Sequence, residues 1–126
     1  MRPILLIDDN PLQLKIRETI LRRADFQVSV ATNPESALAT LRALPERVGL
    51  VITDHLMPGH SGSELVRQIR AAKIDVPIIV LSGMQEAEPE YDGLDVYFRV
   101  KPFPPLELIK LAKSLLESDE QQRGAA

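Results

Sequence analysis

Cysteine and tryptophan are absent from this chain, and aromatic residues make up only 4% of its 126 positions. Without cysteine there is no disulfide scaffold, no thiolate metal site and no cysteine nucleophile. Basic blocks are missing too. Fifteen Lys and Arg stand against eighteen Asp and Glu, a net charge of −3, so the chain lacks the electrostatic footprint of direct nucleic-acid binding. Apolar runs reach about five residues, against the ~20 that a membrane helix needs. No signal-peptide pattern opens the chain. What is present, 44% hydrophobic residues over the length of one domain, suffices for a real core. The expectation is a soluble, cytoplasmic domain with no membrane partner.

Five short apolar runs rich in β-branched residues punctuate the sequence, at 4–7, 26–30, 50–52, 78–81 and 96–100. Continuous rather than alternating apolarity suits strands covered on both faces. Between them lie segments of helical spacing: Leu12, Ile16 and Ile20; Ala37, Leu41 and Leu44; Leu65 and Ile69; Leu108, Leu111 and Leu115. Asn10-Pro11 and Asn33-Pro34 each place a capping side chain before a proline at the first helical position. Ser61 to Glu64 and Pro104-Pro105 open two later helices. Strand and helix in alternation predict an α/β, flavodoxin-like (βα)5 three-layer sandwich. Its parallel sheet has the order 2-1-3-4-5, and the ligand site falls at the switch point between strands 1 and 3. Residues 84–95 leave too little chain, with Pro89 and Gly93 inside, for a full crossover helix, so the fourth helix is expected to be short or irregular. The domain is expected to span 1–117, with 118–126 a flexible tail.

In a parallel sheet all strands end on one side. Asp8 and Asp9 follow the first run, Asp54 the third, Ser82 the fourth and Lys101 the fifth, so these five side chains should meet along one rim. Three crowded carboxylates must either raise a pKa or hold a cation. Hard oxygen donors point to Mg²⁺, which binds few carboxylates and keeps positions for water and phosphate oxygens. Lysine and serine then supply a point charge and a hydrogen-bond donor, and an aspartate facing both cations is a competent nucleophile toward phosphorus.

With these residues in view, the chain resembles the receiver domain of two-component response regulators, in the manner of the stand-alone chemotaxis regulators, over nearly its whole length. Asp8-Asp9, the segment Asp54-His55-Leu56-Met57-Pro58 followed by Gly62, Ser82-Gly83 and Lys101-Pro102-Phe103 occur in the family's order and spacing. The resemblance implies that Asp54 accepts a phosphoryl group from a phosphohistidine on a histidine kinase or a histidine phosphotransfer protein. It implies Mg²⁺ held by Asp8, Asp9, Asp54 and the backbone carbonyl of Leu56, with Lys101 pairing the phosphoryl group. Ser82 and Phe98 would form the conformational switch, and the bond before Pro102 is expected to be cis. The domain would be a signalling module rather than an enzyme, with self-catalysed phosphotransfer and at most slow autodephosphorylation.

Two departures from the family pattern stand out: the stretch from Ser82 to Lys101 is short, and Gly93-Leu94-Asp95 replaces the usual Ala-Gly-Ala. His55 and His60 flank the acceptor and read as solvated loop residues, and the charges of the first helix as a solvated face. Three competing functions are a phosphorylation-independent interaction module of the same fold, an aspartate-nucleophile phosphatase and a flavin-binding relative. The phosphatase would require an Asp-x-Asp motif where Asp8 and Asp9 are instead adjacent. The flavin binder would require a Ser/Thr/Gly-rich phosphate loop where Asp8-Asp9-Asn10-Pro11 is its electrostatic opposite.

Overall fold

The computed structural model of the chain describes residues 1–57 and 59–124. Five long strands, counted in chain order, are β1 Ile4–Ile7, β2 Val28–Ala31, β3 Leu50–Asp54, β4 Ile78–Ser82 and β5 Tyr97–Val100. They form one parallel sheet in the order β2-β1-β3-β4-β5. Helices α1 Pro11–Arg23, α2 Pro34–Ala43, α3 Gly62–Ala71 and α4 Pro105–Gly124 alternate with them. A small antiparallel ladder, Leu56–Met57 with His60–Ser61, closes the loop after β3. The predicted fold and strand order are those observed, because each crossover is right for burying a strand that is apolar on both faces.

Alternation along the strands divides the core. Leu5, Ile7, Val51, Ile78 and Val80 pack with α2 and α3 on one side. Ile4, Leu6, Leu50, Ile52, Ile79 and Leu81 pack with α1 and α4 on the other. Every residue of β1, β3 and β4 is buried. The helices start where their caps say: Asn10 accepts from the amides of Leu12 and Gln13, Asn33 from Ser36, and Ser61 from Glu64.

The helical spacing marks α1 correctly but not its buried face. Leu12 and Ile16 point to solvent, whereas Leu14 and Leu21 are buried, because the Leu12 stripe sits away from the sheet. In α4 the buried positions are likewise Leu108, Ala112 and Leu116, with Leu111 and Leu115 only partly covered. The fourth connection is short, a 3₁₀ segment at Gln85–Tyr91 with Pro89 inside it. Its far end is tied down by Arg70 from α3, whose guanidinium donates to the carbonyls of Ile74, Val76, Leu94 and Asp95 at 2.8–2.9 Å. Residues 118–124, expected in the tail, form the last part of α4, where Arg2 grips the Asp119 carboxylate with two nitrogens. Residues 125–126 lie outside the described residues. Among the described residues no helix is long and apolar enough to cross a membrane.

Candidate functional site

The carboxyl ends of β1, β3, β4 and β5 deliver Asp8, Asp54, Ser82 and Lys101 to one rim. Asp54 is the last residue of the central strand and is almost wholly buried, at 3% exposure. The Lys101 ammonium lies 2.8 Å from Asp54 Oδ1. Asp8, 1% exposed, uses Oδ1 to accept from the Asn10 amide at 2.9 Å. Burial first, and then the Asp54 carboxyl beside it, push the Asp8 carboxyl up to about 7. Asp9, the next residue, is half-buried.

One residue at this rim was not visible from the sequence. Arg17 of α1 sets a single nitrogen, Nη1, between the acids, 3.0 Å from Asp8 Oδ2 and 3.1 Å from Asp54 Oδ1. Its position follows from the stripe Leu14–Arg17–Leu21, the three- and four-residue spacing of the helix face turned to the sheet. That spacing was the signal, obscured by reading the charges of this helix as a solvated face.

The Ser82 hydroxyl, 1% exposed, is engaged with its own loop, accepting from the Met84 amide at 2.9 Å and donating to the Met84 carbonyl at 3.0 Å. Phe98 is buried on the α2–α3 side and tilts against Tyr91, ring centres 5.6 Å apart. The Lys101–Pro102 peptide is cis. Leu56, whose carbonyl was the fourth expected ligand, is in the small ladder with its side chain exposed.

His55 corrects its reading as a solvated residue: it is 3% exposed, with Nδ1 2.6 Å from the Tyr91 hydroxyl. Burial, and then the Glu90 charge, push the Tyr91 phenol well above its ordinary range, so the phenol keeps its proton in this contact. Nε2 faces Glu90 Oε2 at 3.6 Å. His60 does face solvent, beside Glu35 at 3.2 Å. Tyr91 thus joins the residue after Asp54 to Phe98 on β5, a link that sequence spacing alone does not announce.

The acids fit a hard divalent cation in kind. Among the described residues no three Asp, Glu, His or Cys side chains converge into a ligand cluster. The convergent pair Asp8–Asp54 nonetheless matches Mg²⁺, which takes one or two carboxylates and fills its octahedron with water and carbonyl oxygens.

A family model for the response regulator receiver domain matches residues 4–113. The chain belongs to that family. The receiver domain is 32% identical over 121 residues to the transcriptional regulatory protein ResD of Bacillus subtilis, covering 94% of this chain and 49% of that protein. Against the phosphate regulon transcriptional regulatory protein PhoB of Pseudomonas aeruginosa it is 32% identical over 123 residues, covering 91% of this chain and 52% of that one. It spans between about a fifth and a half of the first curated relatives it matches. A response regulator receiver protein of Pseudomonas putida superposes with a TM-score of 0.78 at 30% identity, over 90% of this chain and 98% of that one. The receiver domain from Clostridium thermocellum shares the fold, with a TM-score of 0.86 at 21% identity over 97% and 99% of the two chains. Receiver domains are signalling domains of two-component systems. The family generally uses Mg²⁺.

The raised Asp8 carboxyl gives a prediction for the metal-free receiver domain. Its ordinary value is 3.8 and its folded value about 7, so the folded state binds a proton that the unfolded state releases between those limits. The penalty of burying this acid is absent at pH 4, builds as the pH rises and is complete above 7. Asp8→Asn removes it. In EDTA, the denaturation midpoint of Asp8→Asn is therefore expected to exceed wild type at pH 8, with the two converging as the pH falls toward 4. Parallel pH curves would refute this.

Proposed function

We propose that this receiver domain is a phosphorylation switch in which Asp54 accepts a phosphoryl group from a phosphohistidine of a cytoplasmic histidine kinase or histidine phosphotransfer protein. The observation that carries the proposal is the Lys101 ammonium 2.8 Å from Asp54 Oδ1, at the end of the central strand and beside a second buried acid. Arg17 Nη1 and the Lys101 ammonium both approach Oδ1, at 3.1 and 2.8 Å. Oδ2 is then the oxygen that bonds to phosphorus. As that bond forms, the P–N bond to the donor imidazole breaks and its electron pair stays on the ring nitrogen.

Each remaining side chain has a task in that transfer. Lys101, 31% exposed, is near enough to the rim to follow a phosphoryl oxygen while it holds the acceptor. The Ser82 hydroxyl would leave the Met84 backbone and donate to the phosphoryl group instead, and Phe98 would adjust in the space beside it. Asp8, Asp9, Asp54 and the Leu56 carbonyl would hold Mg²⁺. When bound, Mg²⁺ supplies positive charge against the oxygens of the transferring group.

The test is intact-mass measurement after incubation with acetyl phosphate and Mg²⁺. A gain of one phosphoryl group, lost when EDTA replaces Mg²⁺, is the expected result. No gain under conditions where the protein is folded would overturn the proposal and leave an interaction module independent of phosphorylation.

A further inference from the structure

We propose that Arg17 is the resident counter-ion of the Asp8–Asp54 pair, and that its guanidinium and a divalent cation occupy that pair in turn rather than together. The inference rests on the reading of these acids as the Mg²⁺ site and adds the residue that sets how readily the site fills.

The argument begins with geometry. Two buried carboxylate oxygens from different strands, Asp8 Oδ2 and Asp54 Oδ1, converge on one point, and Arg17 Nη1 sits there at 3.0 and 3.1 Å. A cation bridging the pair at this point takes up the same two oxygens. The Arg17 side chain is only 16% exposed, and its Cα lies on the sheet-facing stripe of α1. This arginine is therefore placed by the helix, not resting on the surface.

Charge makes the same point. Asp8, Asp9 and Asp54, when all ionised, carry three negative charges, and Arg17 and Lys101 bring two positive ones. A divalent cation added to all five would turn that into a net excess of one positive charge in a largely buried rim, where like charges repel strongly. Arginine cannot relieve that excess by losing a proton. It can relieve it only by moving, and the long side chain has the rotatable bonds to swing to solvent. Lys101, bound to Asp54 alone, need not move for the pair to be shared.

A site that binds its ligand only after an internal group has withdrawn shows an apparent affinity reduced by the fraction of time the group is out. If that fraction is about a tenth, removing the guanidinium is expected to tighten binding about tenfold. The experiment is calorimetric titration of Mg²⁺ into wild type, Arg17→Gln, Arg17→Met and Asp8→Asn, each first checked for native circular dichroism. Two neutral replacements of different polarity guard against one of them failing to fold. In parallel, NMR follows the Arg17 side-chain signals of wild type during the titration.

Tighter Mg²⁺ binding in the folded Arg17 variants by about tenfold or more, with the wild-type Arg17 signals shifting as Mg²⁺ is added, supports the proposal. Affinity within twofold of wild type, or weaker, overturns it, as does an Arg17 signal that stays in place while Mg²⁺ binds. Asp8→Asn separates the two levels. Loss of Mg²⁺ binding there with no gain in the Arg17 variants rejects the counter-ion role alone. Unchanged Mg²⁺ binding in Asp8→Asn rejects the acid pair as the metal site, and the counter-ion role with it.

Discussion

Asp54→Asn is expected to keep the fold and to take up no phosphoryl group from acetyl phosphate at any Mg²⁺ concentration. The amide occupies nearly the same volume at the end of β3, so the buried strand around it has no reason to shift. What it lacks is the anionic oxygen. An amide oxygen is a poor nucleophile toward phosphorus, and the change removes the charge that holds the Lys101 ammonium at 2.8 Å. Arg17 keeps Asp8 as a charged partner, and Lys101 is left with an uncharged one at position 54. Intact-mass spectrometry is the readout, with the circular dichroism spectrum as the control. A phosphoryl group appearing on this variant would place the acceptor elsewhere and remove the central residue from the mechanism.

Gly62→Ala is expected to be the most damaging small substitution near the site. A methyl group built on Gly62 would stand 2.6 Å from the Tyr91 hydroxyl oxygen, 2.8 Å from the Asp54 carbonyl oxygen and 3.1 Å from the His55 Cα. Two of these neighbours are backbone atoms of Asp54 and His55, which cannot swing aside as a flexible side chain would. The third is the hydroxyl held by His55 at 2.6 Å. Relief requires α3 to move away from β3, which also stretches the bond from the Gly62 amide to the His55 carbonyl. The expected loss is about 1–3 kcal/mol, the usual range of overpacking. Urea denaturation reads it as a lowered midpoint at an unchanged slope. Stability within about 0.5 kcal/mol of wild type would show that the loop yields freely.

The sheet was legible because its signal is simple. Runs such as Ile4 to Ile7 and Ile78 to Leu81 are apolar at every position, which only a strand sandwiched between two helical layers requires. Strand ends follow from where such runs stop, so the rim holding Asp8, Asp54, Ser82 and Lys101 could be assembled before any coordinates. The caps at Asn10, Asn33 and Ser61 were equally plain, since each side chain serves its own helix. Strand β2 was placed less well: it runs Val28–Ala31, not from Phe26, because apolarity does not distinguish a strand residue from one that packs just before it.

Facing was harder to read than periodicity. Leu12, Ile16 and Ile20 make as good a stripe as Leu14, Arg17 and Leu21, and hydrophobicity favours the wrong one. Only the docking of α1 on the sheet chooses between them, and that choice sends a charged side chain inward to meet two acids. The His55–Tyr91 pair was hidden for a related reason. Thirty-six residues separate the partners, and each has ordinary surface roles when considered by itself. The helical continuation through Gly124 meets the start of the chain, Arg2 with Asp119 and the Met1 amine with Glu120, contacts between residues far apart in the sequence.

Arg70 carries a consequence for how this molecule opens. Four carbonyl groups from two separate loops, 74–76 and 94–95, converge on one guanidinium. Among the described residues these loops also share apolar packing, with Leu94 and Val96 against the cluster that holds Ile74 and Val76, so the guanidinium adds a polar tie to a contact the core already makes. Its loss would weaken the exit of α3 and the approach to β5 together, whereas β1 and β3 keep their own ladder.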